Sequence, residues 1–287
     1  MKTFPLLALV LAGTSAASAA PLPAGSSSFT LPNAGEPLEI FTHRPAGYTD
    51  GPLLVVIHGS DRNAAEYRDY AAPLAARARA LVVAPLFDAA RFSDERYKRT
   101  GGVLRDGREQ PREAWTFQVI ARLVAAVRER EGRPALPYYV IGHSGGAQFT
   151  ARLAFFLPGE ARGFVAANSG SYTFPAPEIA FPFGTGGLPA ALADDTAWRR
   201  YLAAPLTVYL GTGDVKQDPA EGFDFSPEAM RQGAVRLERG RNYFAACRAL
   251  AAKNGWPFRW RLVETPGIGH SGEKMFSAPE ALSALFP

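Results

Sequence analysis

The sequence predicts an α/β protein built on a mostly parallel central sheet with helices on both faces. Three observations carry that expectation. Short apolar runs such as Leu53-Leu54-Val55-Val56-Ile57 and Leu81-Val82-Val83-Ala84 are continuous rather than alternating, as expected of strands covered on both sides. Segments with helical spacing lie between such runs, and strand–helix alternation implies parallel strands joined by crossovers. Finally, Gly142-His143-Ser144-Gly145-Gly146 joins the run Pro137-Tyr138-Tyr139-Val140-Ile141 directly to a helix-like stretch. In a sheet of this kind ligands sit beyond the carboxyl ends of the strands.

Residues 1–19 stand apart from the fold. Lys2 supplies a positive charge, residues 4–13 are an apolar stretch, and Ala17-Ser18-Ala19 is a small-x-small cleavage signal. This reads as a secretory signal peptide cut after Ala19. The stretch is too short for a bilayer, which takes about 20 apolar residues, so no stable membrane anchor is expected. Residues 20–287 are then a single exported domain, periplasmic or extracellular.

Strands are expected over 38–43 and over 53–57, the second ending at His58-Gly59. A helix over 63–79 sets Tyr67, Tyr70, Leu74 and Ala78 on one side. After a strand over 81–85, a long polar loop to Pro111 mixes arginines with Asp94, Glu95, Asp106 and Glu109 and reads as solvated. A helix over 113–131 repeats Phe117, Ile120, Val124 and Val127 at three- and four-residue intervals. The strand into Ser144 and the helix after it follow, then a strand over 163–168. Residues 171–204 break the rhythm with Pro175, Pro177, Pro182 and Pro189 and with aromatic side chains. A loop this long is usually functional, and it is expected to form a cap or insertion at the active-site edge. Strands over 206–210 and 258–263, with helices over 227–254 and 273–286, complete the pattern.

Composition narrows the function classes. Hydrophobic residues make up 47% and charged residues 20% of the chain, which suits a globular enzyme and excludes a disordered or fibrous one. The net charge of +4 is spread along the sequence without a basic cluster, so nucleic acid is not an expected partner. Cys247 is the only cysteine, so neither an internal disulfide nor a cysteine metal site can form, and its apolar helical setting implies a buried thiol.

The chemistry centres on Ser144. A serine hydroxyl is a weak nucleophile until a strained strand-to-helix turn exposes it and a base takes its proton. Of the histidines, His43 lies far from any glycine-rich edge loop, His58 ends a strand, and His143 points away within the turn. His270, in Pro266-Gly267-Ile268-Gly269-His270-Ser271 after the last strand, is the expected base. The acid should follow the strand over 206–210, where Gly211-Thr212-Gly213-Asp214 supplies it, with Asp218 as the rival. Asp194 and Asp195 are expected to cap the helix carrying Trp198. Oxyanion donors are expected from the backbone N–H of Gly145 and from that of Ser60, or of Asp61, in the turn after His58-Gly59.

Taken together, the strand ending in His58-Gly59, the turn around Ser144, Asp214 and His270 resemble the α/β-hydrolase fold over essentially the whole exported chain. Within it, His58-Gly59-Ser60 followed by Asn63-Ala64-Ala65 and Tyr67 is similar to the polyhydroxyalkanoate (PHB) depolymerase-like esterases. Those enzymes often carry a cysteine where Ser60 stands here.

The expected function is a secreted serine ester hydrolase acting through an acyl-enzyme on a small or polymeric ester, with no metal or cofactor. A carbohydrate or feruloyl-type esterase, a peptidase of the same fold, and an inactive hydrolase used as a binding module remain alternatives. Tyr172 and Trp198 are candidates to bind substrate, or else form the small core of the cap.

Overall fold

The computed structural model describes residues 20–33, 35–159 and 161–286. The leader expected over 1–19 lies outside them. In chain order the strands are β1 (Gly25–Leu31), β2 (Leu38–Arg44), β3 (Leu53–Ile57), β4 (Leu81–Pro85), the short β5 (Leu104–Arg105) and β6 (Arg108–Glu109), β7 (Tyr138–His143), β8 (Gly163–Ala167), β9 (Leu206–Gly211) and β10 (Arg261–Thr265). The helices are α1 (Ala64–Ala78), α2 (Gln118–Arg130), α3 (Gly145–Phe156), α4 (Ala190–Ala193), α5 (Asp195–Leu202), α6 (Pro227–Gln232), α7 (Arg236–Asn254), α8 (Gly272–Ser277) and α9 (Glu280–Leu285).

The continuous apolar runs lie at the sheet centre, where burial on both faces demands them. The main sheet has eight strands in the order β1-β2-β4-β3-β7-β8-β9-β10. Pairs β1–β2 and β2–β4 are antiparallel and the rest parallel. Alternation along β3 divides the core in two. Leu53, Val55 and Ile57 join a cluster with residues of α2, α3, α5 and α7. Leu54 and Val56 face α1, α8 and α9.

Several boundaries differ from expectation for identifiable reasons. β1 was not foreseen, because its polar Ser26, Ser27 and Ser28 suit an edge strand half open to solvent. β10 begins at Arg261 because the residues before it are tied to α5. There Arg259 N–H donates to the Leu202 carbonyl and Trp260 Nε1 to the Tyr201 carbonyl. The closing helix is two, separated at Ala278-Pro279, since proline has no N–H to carry the helical ladder through. Part of the segment expected as a solvated loop is packed, although residues 93–95 and 105–109 are exposed as expected. Phe92, Tyr97 and Val103 are each 0% exposed, and residues Glu95–Arg99 form a π-helical turn. The charges interleaved with those apolar residues hid the burial.

The insertion over 171–204 packs on α3 through Phe155, whose ring lies 5.0 Å from Trp198 and 4.9 Å from Tyr201. Arg152 of α3, 1% exposed, pins it by donating to Thr173 Oγ1 and to the Pro182 carbonyl.

Candidate active site

The ends of β3, β7, β8, β9 and β10 converge on Ser144. β7 ends at His143 and α3 starts at Gly145, which leaves Ser144 at φ 56° and ψ −118°, a conformation costly for any residue with a β-carbon. Close packing on both sides holds it there. A β-carbon on Gly142 would fall 2.1 Å from the Gly146 oxygen, and one on Gly146 would fall 2.2 Å from the Ile57 oxygen. The end of β7, the start of α3 and the end of β3 therefore touch where only hydrogen fits. The Ser144 N–H also donates to the Ala167 carbonyl at 3.0 Å.

His270 arrives from the loop after β10. Its Nε2 lies 2.9 Å from Ser144 Oγ and its Nδ1 lies 2.8 Å from Asp214 Oδ2, in the turn after β9. With the carboxylate accepting from Nδ1–H, Nε2 is left to accept the serine proton. The second oxygen of Asp214 faces Arg236 Nη1 at 3.4 Å, and both side chains are 1% exposed. Arg236, the first residue of α7, also donates to the Glu221 carbonyl at 2.7 Å. Asp218 is elsewhere: it caps Pro219–Glu221 by accepting from the Ala220 N–H at 2.9 Å. Asp194 caps α5 by accepting from the Ala197 N–H.

The turn after β3 is aimed by His58. Its Nε2 accepts from the Phe87 N–H at 3.1 Å, so the ring proton sits on Nδ1 and is donated to the Gly59 carbonyl at 2.8 Å. Burial pushes the His58 pKa down to about 4, so the ring stays neutral. Because a trans peptide sets its carbonyl and following N–H in opposite directions, holding the Gly59 oxygen on His58 turns the Ser60 N–H away from it. Ser60 N lies 3.3 Å from the point where a Gly145 β-carbon would sit. Among the described residues neither the Ser60 N–H nor the Gly145 N–H is spent on another hydrogen bond.

His143, 3% exposed, shares a hydrogen bond of 2.9 Å between its Nδ1 and the Tyr67 hydroxyl, with its ring centroid 4.7 Å from that of His270. Burial, then the nearby His270 and Arg236, push its pKa far down, so it adds no charge beside His270.

Two clefts meet at Ser144. One, about 300 Å³, runs past Tyr70, Glu221, His270 and Glu273. The other, about 260 Å³, runs past Lys98, Arg99, Phe183 and Phe225. Ser60 lines both. The expectation for Tyr172 and Trp198 is corrected. They are 1% and 5% exposed, Tyr172 stacks on Tyr243 at 4.4 Å, and neither lines either cleft. Of the insertion, Ser171 and Phe183 reach the site instead. Arg236 and Lys98 were missed, since nothing local in the sequence marks a charge that acts through a distant strand end.

Solved structures share this fold. Poly(aspartic acid) hydrolase-1 from Sphingomonas sp. KT-1 is 34% identical over 93% of this chain and 100% of its own, with a TM-score of 0.86. LpqC, a poly(3-hydroxybutyrate) depolymerase from Bordetella parapertussis, is 36% identical over 91% and 90%, with a TM-score of 0.83. The chain belongs to the polyhydroxyalkanoate depolymerase-like α/β-hydrolases. It is an ester hydrolase of that fold. An esterase from Pyrobaculum calidifontis, 18% identical over 91% of this chain and 84% of its own at a TM-score of 0.53, shares the fold alone. No family model and no curated protein matches the chain.

Proposed function

We propose that this α/β-hydrolase is a secreted serine esterase in which Ser144 is the nucleophile, His270 the base and Asp214 the residue that orients the base. The observation that carries the reading is the unbroken hydrogen-bond chain Ser144–His270–Asp214, at 2.9 and 2.8 Å, at the meeting of two open clefts. Ser144 Oγ attacks the ester carbonyl carbon while its proton passes to His270 Nε2. The carbonyl oxygen becomes an oxyanion facing the N–H groups of Gly145 and Ser60. As the carbonyl re-forms, the C–O bond to the alcohol breaks and His270 returns its proton to the departing oxygen. Water, deprotonated by His270, then attacks the acyl-enzyme and releases the acid and free Ser144. Asp214 keeps Nδ1–H directed at itself, so the lone pair of Nε2 always faces the serine. The residues of the leader, over 1–19, support export.

The clefts on either side of Ser144 suit an extended ester that continues past the scissile bond in both directions, as in a polyester. A second reading, hydrolysis of an anionic poly(amino acid), is supported by Arg99, which lines one cleft without a carboxylate partner among the described residues. Rates on p-nitrophenyl esters, emulsified poly(3-hydroxybutyrate), poly(aspartic acid) and feruloylated sugars separate these classes. Release of acid from the polyester, lost in Ser144→Ala, is the expected result. Activity confined to poly(aspartic acid) or to feruloylated sugars would reject the polyester reading.

A further inference from the structure

The side chain of Ser60 has partners of its own, distinct from those of its backbone. Ser60 Oγ lies 3.0 Å from Lys98 Nζ, and an ammonium can only donate, so the hydroxyl oxygen accepts and its own hydrogen is left free. Lys98 is fixed on three sides. Its Nζ is paired with Asp94 Oδ2 at 2.8 Å, and Asp94 also accepts from Arg62 at 3.0 Å. Burial alone would raise the Asp94 carboxyl pKa, but the hydrogen bonds and charges of Lys98 and Arg62 outweigh it and hold the group below the usual carboxylate range. The carbonyl of Lys98 accepts from Arg152 Nη1 at 2.6 Å. The preceding residue, Tyr97, is fully buried and donates to the His58 carbonyl at 2.6 Å. The π-helical turn thus delivers a cation to the oxyanion loop with little freedom to move.

Position decides what that cation does. A β-carbon on Gly145 would lie 2.9 Å from Ser60 Oγ, 3.3 Å from Ser60 N and 3.3 Å from Lys98 Cδ. The Ser60 hydroxyl therefore stands beside the two N–H groups assigned to the oxyanion. A hydroxyl whose oxygen accepts from an ammonium is a stronger donor through its own hydrogen.

We propose that the Ser60 hydroxyl is a third donor to the oxyanion, polarised by Lys98, which acts as a positioning residue through it. The proposal rests on the Ser144 mechanism above. Negative charge appears on the carbonyl oxygen only as the tetrahedral species forms, so this donor lowers the barrier and leaves ground-state binding nearly unchanged.

The test is a double-mutant cycle on Ser60→Ala and Lys98→Met in the exported chain. It uses an uncharged p-nitrophenyl ester, with kcat and KM measured separately and inhibition by an alkylboronic acid as a tetrahedral mimic. Ser144→Ala and Ser60→Thr run alongside, and melting curves verify folding. Ser60→Ala is expected to lower kcat by about 100-fold, with KM within about threefold and boronate affinity reduced in parallel. Lys98→Met should lower kcat by about tenfold in the parent and leave it unchanged in the Ser60→Ala background. Ser60→Thr, which keeps the hydroxyl, should retain most of the activity. An unchanged kcat in Ser60→Ala overturns the proposal while leaving the Ser144 mechanism intact. So does an equal Lys98→Met effect in both backgrounds, or a Lys98→Met effect confined to the KM of carboxylate-bearing esters. Loss of activity in Ser60→Thr as severe as in Ser60→Ala also overturns it. Full activity in Ser144→Ala removes both proposals.

Discussion

His58 accepts the Phe87 N–H at Nε2 only while its ring is neutral, so the seating of the turn after β3 is coupled to acid. In the folded chain its pKa is lowered to about 4 from the ordinary 6.5. Between those values the unfolded chain binds the proton and the folded chain does not, so stability rises with pH there. The stabilisation is complete above about pH 6.5, falls away toward pH 4, and amounts to about 3 kcal/mol. His143, shifted the same way, adds to the slope. Denaturant titrations between pH 7 and 4 should therefore show falling unfolding free energy, with a shallower slope in His58→Gln; a flat profile in the parent chain would contradict this account. Arg236 makes a second prediction. Replacing it with Met leaves the Asp214 carboxylate buried without its cation and the Glu221 carbonyl without its donor. The expected cost is about 3 kcal/mol of stability together with reduced kcat. A variant as stable and active as the parent would show that Asp214 needs no such support.

At the scale of elements, the turn at Ser144 depends on three chain segments meeting without β-carbons. Gly146→Ala should push α3 away from the end of β3, since the new methyl would overlap the Ile57 and His58 carbonyl oxygens at 2.2 and 2.4 Å. The N–H groups proposed to hold the oxyanion sit on those same two segments, so kcat should fall by about 100-fold or more and the melting temperature should drop. Wild-type kinetics in Gly146→Ala would mean that the contact does not set the geometry. Much of this level is legible in sequence. Continuous apolar runs mark β3, β4 and β7, because strands buried on both faces tolerate nothing else. The hydrogen-bonded trio is legible too, since Ser144, Asp214 and His270 each follow a strand end that topology brings to one edge. Segments whose burial depends on partners distant in sequence are not. The turn over residues 95–99 reads as solvated because Glu95, Arg96, Lys98 and Arg99 flank its one core residue, Tyr97. Tyr172 and Trp198 pose the reverse problem: an aromatic residue in a loop suggests a ligand contact until the packing partners Tyr243 and Phe155 are known.

Across the whole molecule, the sheet is a frame between two cores that presents the carboxyl ends of its parallel strands to one edge. Its insertion over 171–204 is fastened to α3 by buried Arg152 and lends Ser171 and Phe183 to one cleft. With clefts on both sides of Ser144, binding energy is available from substrate on either side of the scissile bond. An oligomeric ester spanning both clefts should therefore exceed its single-unit analogue in kcat/KM by about tenfold or more, measured on a length series of one hydroxy acid. Equal values along the series would contradict an extended substrate. All of this rests on Ser144 being the nucleophile. The most direct measurement is reaction of the folded chain with a fluorophosphonate, with the adduct mapped by mass spectrometry. One adduct per chain is expected, on Ser144, formed in step with loss of esterase activity and absent from Ser144→Ala. Stoichiometric labelling at another residue, or esterase activity that survives complete modification of Ser144, would contradict it.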